Sequence, residues 1–138
     1  MSSSVNNGVR WLHSVLRVKD PVKSIAYYVD LLGFTLVSRM DYTDLKLSVY
    51  HLQSLPPQTK FSLDPISKEA HDRVMNSDDA TLALLHNHGT ENDESFEGYH
   101  AGNAENDGFG HLAVSVEDVY EASASLEKQG VLFKKKPV

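Results

Sequence analysis

The chain has 138 residues, 41% of them hydrophobic and 23% charged, with a formal net charge of −6; this is one domain's worth of chain with material for a core, not a disordered polymer. It has no cysteine, which excludes a disulfide scaffold, a thiol nucleophile and a Cys-ligated zinc site, and its acidity argues against general nucleic-acid binding. No apolar run approaches the ~18 residues of a membrane span, and residues 1–7 have neither the basic start nor the apolar centre of a signal peptide, so a solvated tail on a soluble cytoplasmic protein is expected.

Residues 13–18, His-Ser-Val-Leu-Arg-Val, read as a first strand. Asp20-Pro21 has the form of a helix start, with Asp20 as N-cap and Pro21 in the first turn. Val22, Ile25, Ala26, Val29 and Leu32 follow at helical spacing, and Gly33 stands where a helix ends. Residues 34–39 read as a second strand. Over 45–52, Leu45, Leu47 and Val49 alternate with Lys46, Ser48 and Tyr50, which predicts a third strand burying its odd-numbered face. Residues 53–79 hold three prolines and are too long for an ordinary hairpin loop. They read as an insertion with a short helix from Asp64-Pro65 toward Met75. Residues 80–88 form a fourth strand, 89–110 a polar, acidic connector, and 111–116 a further strand. Val119, Ala122 and Leu126 mark a helix ending before Gly130, and residues 131–136 begin one more strand.

The two ends of the chain repeat one pattern. His13, Leu16, Val18 and Asp20 meet His111, Val114, Val116 and Asp118 at a spacing of 98, and Gly33 meets Gly130 at 97. Each segment is a strand opened by His, then a helix, then a Gly and an apolar strand, as in an internal duplication. If the copies pack about a pseudo-twofold axis, His13 and His111 face one site, and two imidazoles suit zinc, nickel or iron. Equally, each can cap its strand by bonding a backbone carbonyl.

Along the fourth strand, Ala83, Leu85 and Asn87 share one face and His86 and His88 the other. His86 and His88 should therefore point away from Asn87, and they read, with His51, His71 and His100, as surface histidines. Arg17 suits an anion or a nearby Asp, and Asn87 a ligand or a turn. Lys134-Lys135-Lys136 is a solvated face or an attractor of carboxylates. No phosphate loop, nucleophile elbow or His-Glu-x-x-His helix occurs.

Several strings together resemble one family. They are Leu16-Arg17-Val18-Lys19-Asp20-Pro21 with Ser24, Tyr28 and Leu32-Gly33, then Leu85 to Glu94, Tyr99 to Asn103, Gly108-Phe109-Gly110-His111 and Asp118-Val119-Tyr120. Over residues 11–137 the chain is similar to eukaryotic glyoxalase I, lactoylglutathione lyase, of the vicinal oxygen chelate superfamily. The resemblance implies an α+β fold of paired βαβββ modules: a first module over 11–89, a connector over 90–109 and an incomplete second module over 110–138, together one domain. It implies an enzyme that isomerises the hemithioacetal of methylglyoxal and glutathione to S-lactoylglutathione, detoxifying methylglyoxal, and a homodimer. Zinc or nickel would act as Lewis acid and a glutamate as general base. His13 and His111 fall at metal-ligand positions; Arg17, Asn87 and Lys135 fall where the family holds glutathione.

The chain departs from the family at three points. Thr81-Leu82-Ala83-Leu84 carries alanine where the family has its second ligand, a glutamate. The catalytic glutamate, which is also the fourth ligand, falls in the part of the second module expected to be absent. Asp107 stands where an Arg is expected and would repel glutathione carboxylates. Little turnover is therefore expected of these 138 residues. The alternative is an inactive module that binds glutathione conjugates or a protein partner. A ring-cleaving dioxygenase is a third reading, and it lacks the same glutamate.

Overall fold

The computed structural model describes residues 8–103 and 108–138. The expected N-terminal tail, 1–7, and Asp107 lie outside the described residues. Contacts divide the chain into two compact units, Met1–Tyr99 and His100–Val138.

The first unit has the βαβββ order expected. Strands β1 (Ser14–Arg17), β2 (Thr35–Tyr42), β3 (Leu47–Gln53) and β4 (Thr81–Asn87) lie in the spatial order β1-β4-β3-β2. The β1–β4 pair is parallel and the other two pairs are antiparallel. Helix α1 (Pro21–Ala26) starts where Asp20-Pro21 predicts, the Asp20 carboxylate accepting from the Val22 and Lys23 amides at 3.0 and 3.4 Å. It then widens into a π-helical turn, Tyr27–Leu31. Gly33 closes it at φ 76, a backbone region costly for a residue with a Cβ. Ile25 and Val29 of the predicted stripe pack on the core and Tyr28 joins them, while Val22, at the open start of α1, is exposed.

The core is Tyr50, Leu52, Leu82 and Leu84, with Leu16, Val18, Phe34 and Leu36 packed against it. Leu52 and Leu84 are fully buried, a state worth about 1.5–3 kcal/mol for each such side chain. This corrects the expected face of β3. The even-numbered Tyr50 and Leu52 form the core face, and Leu45 is 67% exposed. β3 is central, hydrogen-bonded to β2 and β4, and Ser48, Tyr50, His51, Leu52 and Gln53 are all buried. A strand covered on both faces loses the polar–apolar alternation that the reading relied on.

The insertion holds helix α2 (Lys68–Asn76), which begins later than Asp64-Pro65 suggests. Asp64 instead makes a turn, its backbone oxygen accepting from the Ser67 amide, and the Ser67 hydroxyl caps α2 by accepting from Ala70 N. α2 runs along β2, with Ala70 and Val74 buried. Backbone bonds from β2 reach the same segment, Arg39 N donating to Pro65 O at 2.9 Å.

In the second unit, helix α3 (Val119–Lys128) forms as predicted. Asp118 caps it as Asp20 caps α1, accepting from Tyr120 N and Glu121 N at 2.8 and 3.0 Å, and Gly130 takes φ 85. The local geometry thus repeats where the sequence repeats. The strands expected at 111–116 and 131–136 are not formed. Among the described residues neither segment has a ladder partner, and a strand is stable only when its amides and carbonyls are paired. No helix among the described residues is long and apolar enough to cross a membrane.

Candidate functional site

One face of the first sheet carries the apolar core. The pairing register assigns the residues of the other face. Val15, Ala83, His51 and Ser38 form one cross-strand row, and Arg17, Leu85, Val49 and Met40 the next. Gln53 pairs Thr81, and His13 directly precedes Ser14, the partner of Leu82, so His13 falls level with Thr81. These placements follow from the two-residue period of a strand.

Arg17 and Asn87 end β1 and β4 on this face, and Arg17 Nη1 donates to Asn87 Oδ1 at 3.0 Å. Arg17 is exposed. The amide oxygen occupies one of its five donors and leaves the guanidinium aimed and charged. That arrangement suits a carboxylate, which Arg can take with two parallel bonds.

His13 is half-buried with its Nδ1 fully enclosed, and its ring meets His51 edge-on with centroids 5.2 Å apart. His51 corrects the surface reading, being only 3% exposed. Burial, then the neighbouring His13 and His71, pull its pKa from 6.5 down to about 4, so it is neutral at pH 7. Among the described residues, four buried polar atoms of this face have no hydrogen-bond partner: His13 Nδ1, His51 Nδ1, Gln53 Oε1 and Ser38 Oγ. Such atoms in folded proteins are normally paired, with protein groups, an ordered water or an ion.

The other histidines have structural partners. His71 donates from Nε2 to Arg39 O at 3.0 Å. His86 is also buried, against the surface reading, because its even-numbered position points to the helix-covered face; its Nε2 donates to Glu91 at 2.6 Å. Glu91's own backbone amide, then His86, hold that carboxyl below its usual range. His88 Nε2 bonds the Ser48 hydroxyl at 2.8 Å, and that hydroxyl donates to Asp41. Both His86 and His88 are thus committed away from Arg17 and Asn87, in keeping with strand parity.

Ala83 lies fully buried in the middle of β4, so a methyl stands at the expected glutamate position. In the second unit, His111 is exposed and outside any strand, and Lys135 is exposed at a bend. Among the described residues, no group of three or more His, Asp or Glu side chains is placed to hold a metal ion. Sequence reasoning missed His51 and Gln53. Their only signal was parity within β3, which becomes informative once the register sets His51 opposite Ala83.

The sequence pattern of the Glyoxalase/Bleomycin resistance protein/Dioxygenase superfamily matches residues 10–138. Lactoylglutathione lyase of Pseudomonas putida is 43% identical over 124 residues, which are 90% of this chain and 69% of that protein. Glyoxalase I of Saccharomyces cerevisiae is 35% identical over 125 residues, 90% of this chain and 36% of that protein. The trypanothione-dependent glyoxalase I of Leishmania major superposes with a TM-score of 0.66 at 24% identity, a likeness of fold covering 95% of this chain and 73% of that one. Glyoxalase I from Zea mays superposes with a TM-score of 0.61 at 25% identity, over 93% of this chain and 35% of that one. The chain therefore spans only part of each relative's length.

Proposed function

The chain belongs to the Glyoxalase/Bleomycin resistance protein/Dioxygenase superfamily, and on that footing we propose that it is a lyase of the glyoxalase I type. It takes the hemithioacetal of methylglyoxal and glutathione and returns S-lactoylglutathione, in the service of methylglyoxal detoxification. The observation that carries this reading is the Arg17–Asn87 bond on the sheet face that also presents His13. Glutathione brings two carboxylates, and a guanidinium steadied by a neighbouring amide supplies a fixed cation for one of them. The resemblance adds Lys135, an exposed residue of the second unit, as a proposed glutathione contact. The reaction moves one proton between the two carbons that bear the vicinal oxygens. The protein's task is to hold those carbons still and exclude water while the proton moves. A homodimer and zinc or nickel as the ion, both implied by the resemblance, and a cytoplasmic setting are parts of the proposal.

The family's metal set does not fit this chain as it stands. His13 offers an enclosed, unpartnered nitrogen and His111 an exposed one, but the methyl of Ala83 cannot ligate. No catalytic step through a metal follows from these residues. The same observation favours a second reading, a module that binds glutathione adducts without converting them.

Two assays separate these readings: binding of an S-alkyl glutathione by calorimetry, and formation of S-lactoylglutathione from methylglyoxal and glutathione by its thioester absorbance, with zinc or nickel added. Binding with product formation supports the lyase. Binding alone supports the second reading. Absence of both overturns the proposal.

A further inference from the structure

On the functional face of the first unit, the residue that β3 sets directly across from Ala83 is His51. The ring of His13 lies beside it, the planes inclined at 65° and the centroids 5.2 Å apart. Among the described residues, neither buried Nδ1 has a partner, and Gln53, two residues along the same face, has an unpartnered Oε1 while its amide nitrogen donates to Thr81 Oγ1 at 3.1 Å. His51 and Gln53 are 3% and 0% exposed. An imidazole and an amide oxygen enclosed in this way normally find a donor or acceptor. Here the three unpartnered atoms are all able to give a lone pair to a cation.

We propose that His13 and His51 form a two-imidazole site for a borderline divalent cation of the zinc, nickel or cobalt class, with Gln53 Oε1 as the adjacent oxygen donor. His51 takes over, from the neighbouring strand, the ligand role that position 83 has lost. The spacing fits. A zinc–nitrogen bond of about 2.0–2.1 Å, extended about 1.1 Å to the ring centre, sets two tetrahedrally placed imidazole centroids about 5.2 Å apart. Imidazole donors select this class of ion over magnesium or calcium. His71 holds its Nε2 on the Arg39 carbonyl, which leaves only its Nδ1 able to ligate. The site contains no carboxylate, so the ion keeps its double charge in enclosed surroundings. It therefore binds less tightly than in a site with glutamate, and it favours an anionic oxygen from a ligand in an open position. The inference shares His13 with the proposed reaction but rests on first-unit contacts alone.

The test uses the 138-residue chain and cobalt(II), without glutathione. One equivalent of cobalt should bind saturably, with a visible ligand-field spectrum and a rise in melting temperature. Paramagnetic shift or broadening of histidine ring signals should fall first on His13 and His51. Loss of a direct ligand costs more than the roughly 10–100-fold lost with an outer partner. His13→Ala and His51→Ala should therefore each weaken binding by at least about 100-fold, with His100→Ala unchanged. If His51→Ala does not fold, the paramagnetic map of the unaltered chain decides. Absence of saturable binding, a map centred on other histidines, or a folded His51→Ala with undiminished affinity overturns the proposal. So does loss of binding in His111→Ala together with its retention in His51→Ala. Cobalt binding is read without substrate, so its failure leaves the glutathione reading standing, and the converse holds.

Discussion

Substituting His51→Phe should flatten the acid limb of the protein's stability curve. Burial, then His13 and His71, hold the folded imidazole at about 4 against an ordinary 6.5. The unfolded chain therefore takes up a proton at His51, between about pH 6.5 and 4, that the folded chain refuses. Stability falls as pH falls through that window and is untouched above it. At about 1.4 kcal/mol per pH unit the whole window is worth about 3 kcal/mol, of which about 2 kcal/mol is gone by pH 5. The carboxyls held low, at Asp41, Glu91 and Asp93, have ordinary values of 3.8, 4.5 and 3.8 and contribute mainly below that range. Phe keeps the aromatic bulk and removes both the titration and the orphaned Nδ1, whose burial costs about 1–3 kcal/mol. Urea unfolding followed by circular dichroism, with a chelator present, from pH 7.5 to 4.5 gives the comparison. His51→Phe should be at least as stable as the parent at pH 7.5 and should lose about 2 kcal/mol less by pH 5. Parallel curves for the two proteins would refute the burial argument.

Arg17→Ala should weaken binding of an S-alkyl glutathione by about 10–100-fold in calorimetry, the value of a charge-assisted bond of about 1.5–3 kcal/mol; Arg17→Lys should recover only part, since an ammonium cannot make the paired bonds. Ala83→Glu should lower metal-free stability, because the position is fully buried and an unpaired carboxylate there is costly. Added zinc or cobalt should restore that stability and bind more tightly than to the parent chain, as thermal melts and a competitive chelator titration would show. Asp20→Ala removes the cap of α1 and should cost about 0.5–2 kcal/mol in urea unfolding. Asp118→Ala should lower the helical signal of α3 by the same mechanism.

Much of the first unit can be read from local chemistry. Asp20-Pro21 and Asp118 start helices because a carboxylate satisfies free amides in the first turn, and Gly33 and Gly130 end them because the chain turns left-handed there. The strand parity of Ala83, Leu85 and Asn87 held through the pairing, and Arg17 met Asn87 across β1 and β4. The readings that failed depended on what covers a residue. His51 and His86 look polar in sequence, yet one sits in a central strand and the other under the helix-covered face. Leu45 and Val22 look apolar, yet one lies in the turn before β3 and the other at the open start of α1. The segments 111–116 and 131–136 have the composition of strands and no partner among the described residues. Pairing is a long-range property that local pattern does not carry. His51 beside His13 was hidden for the same reason, since the two are brought together only by the register of three strands.

The central claim is that the sheet face bearing Arg17, Asn87 and His13 receives a glutathione adduct. A ligand footprint by heteronuclear NMR tests it most directly, with S-lactoylglutathione, the product of the proposed reaction, titrated into the isotope-labelled chain. Saturable shifts should concentrate on the Arg17 and Asn87 side chains and on the amides of residues 13–17 and 83–87, and should vanish in Arg17→Ala. The core face around Tyr50, Leu52 and Leu84 should stay still. No saturable shift, or a footprint on the core face or the α2 segment that survives Arg17→Ala, would contradict the account.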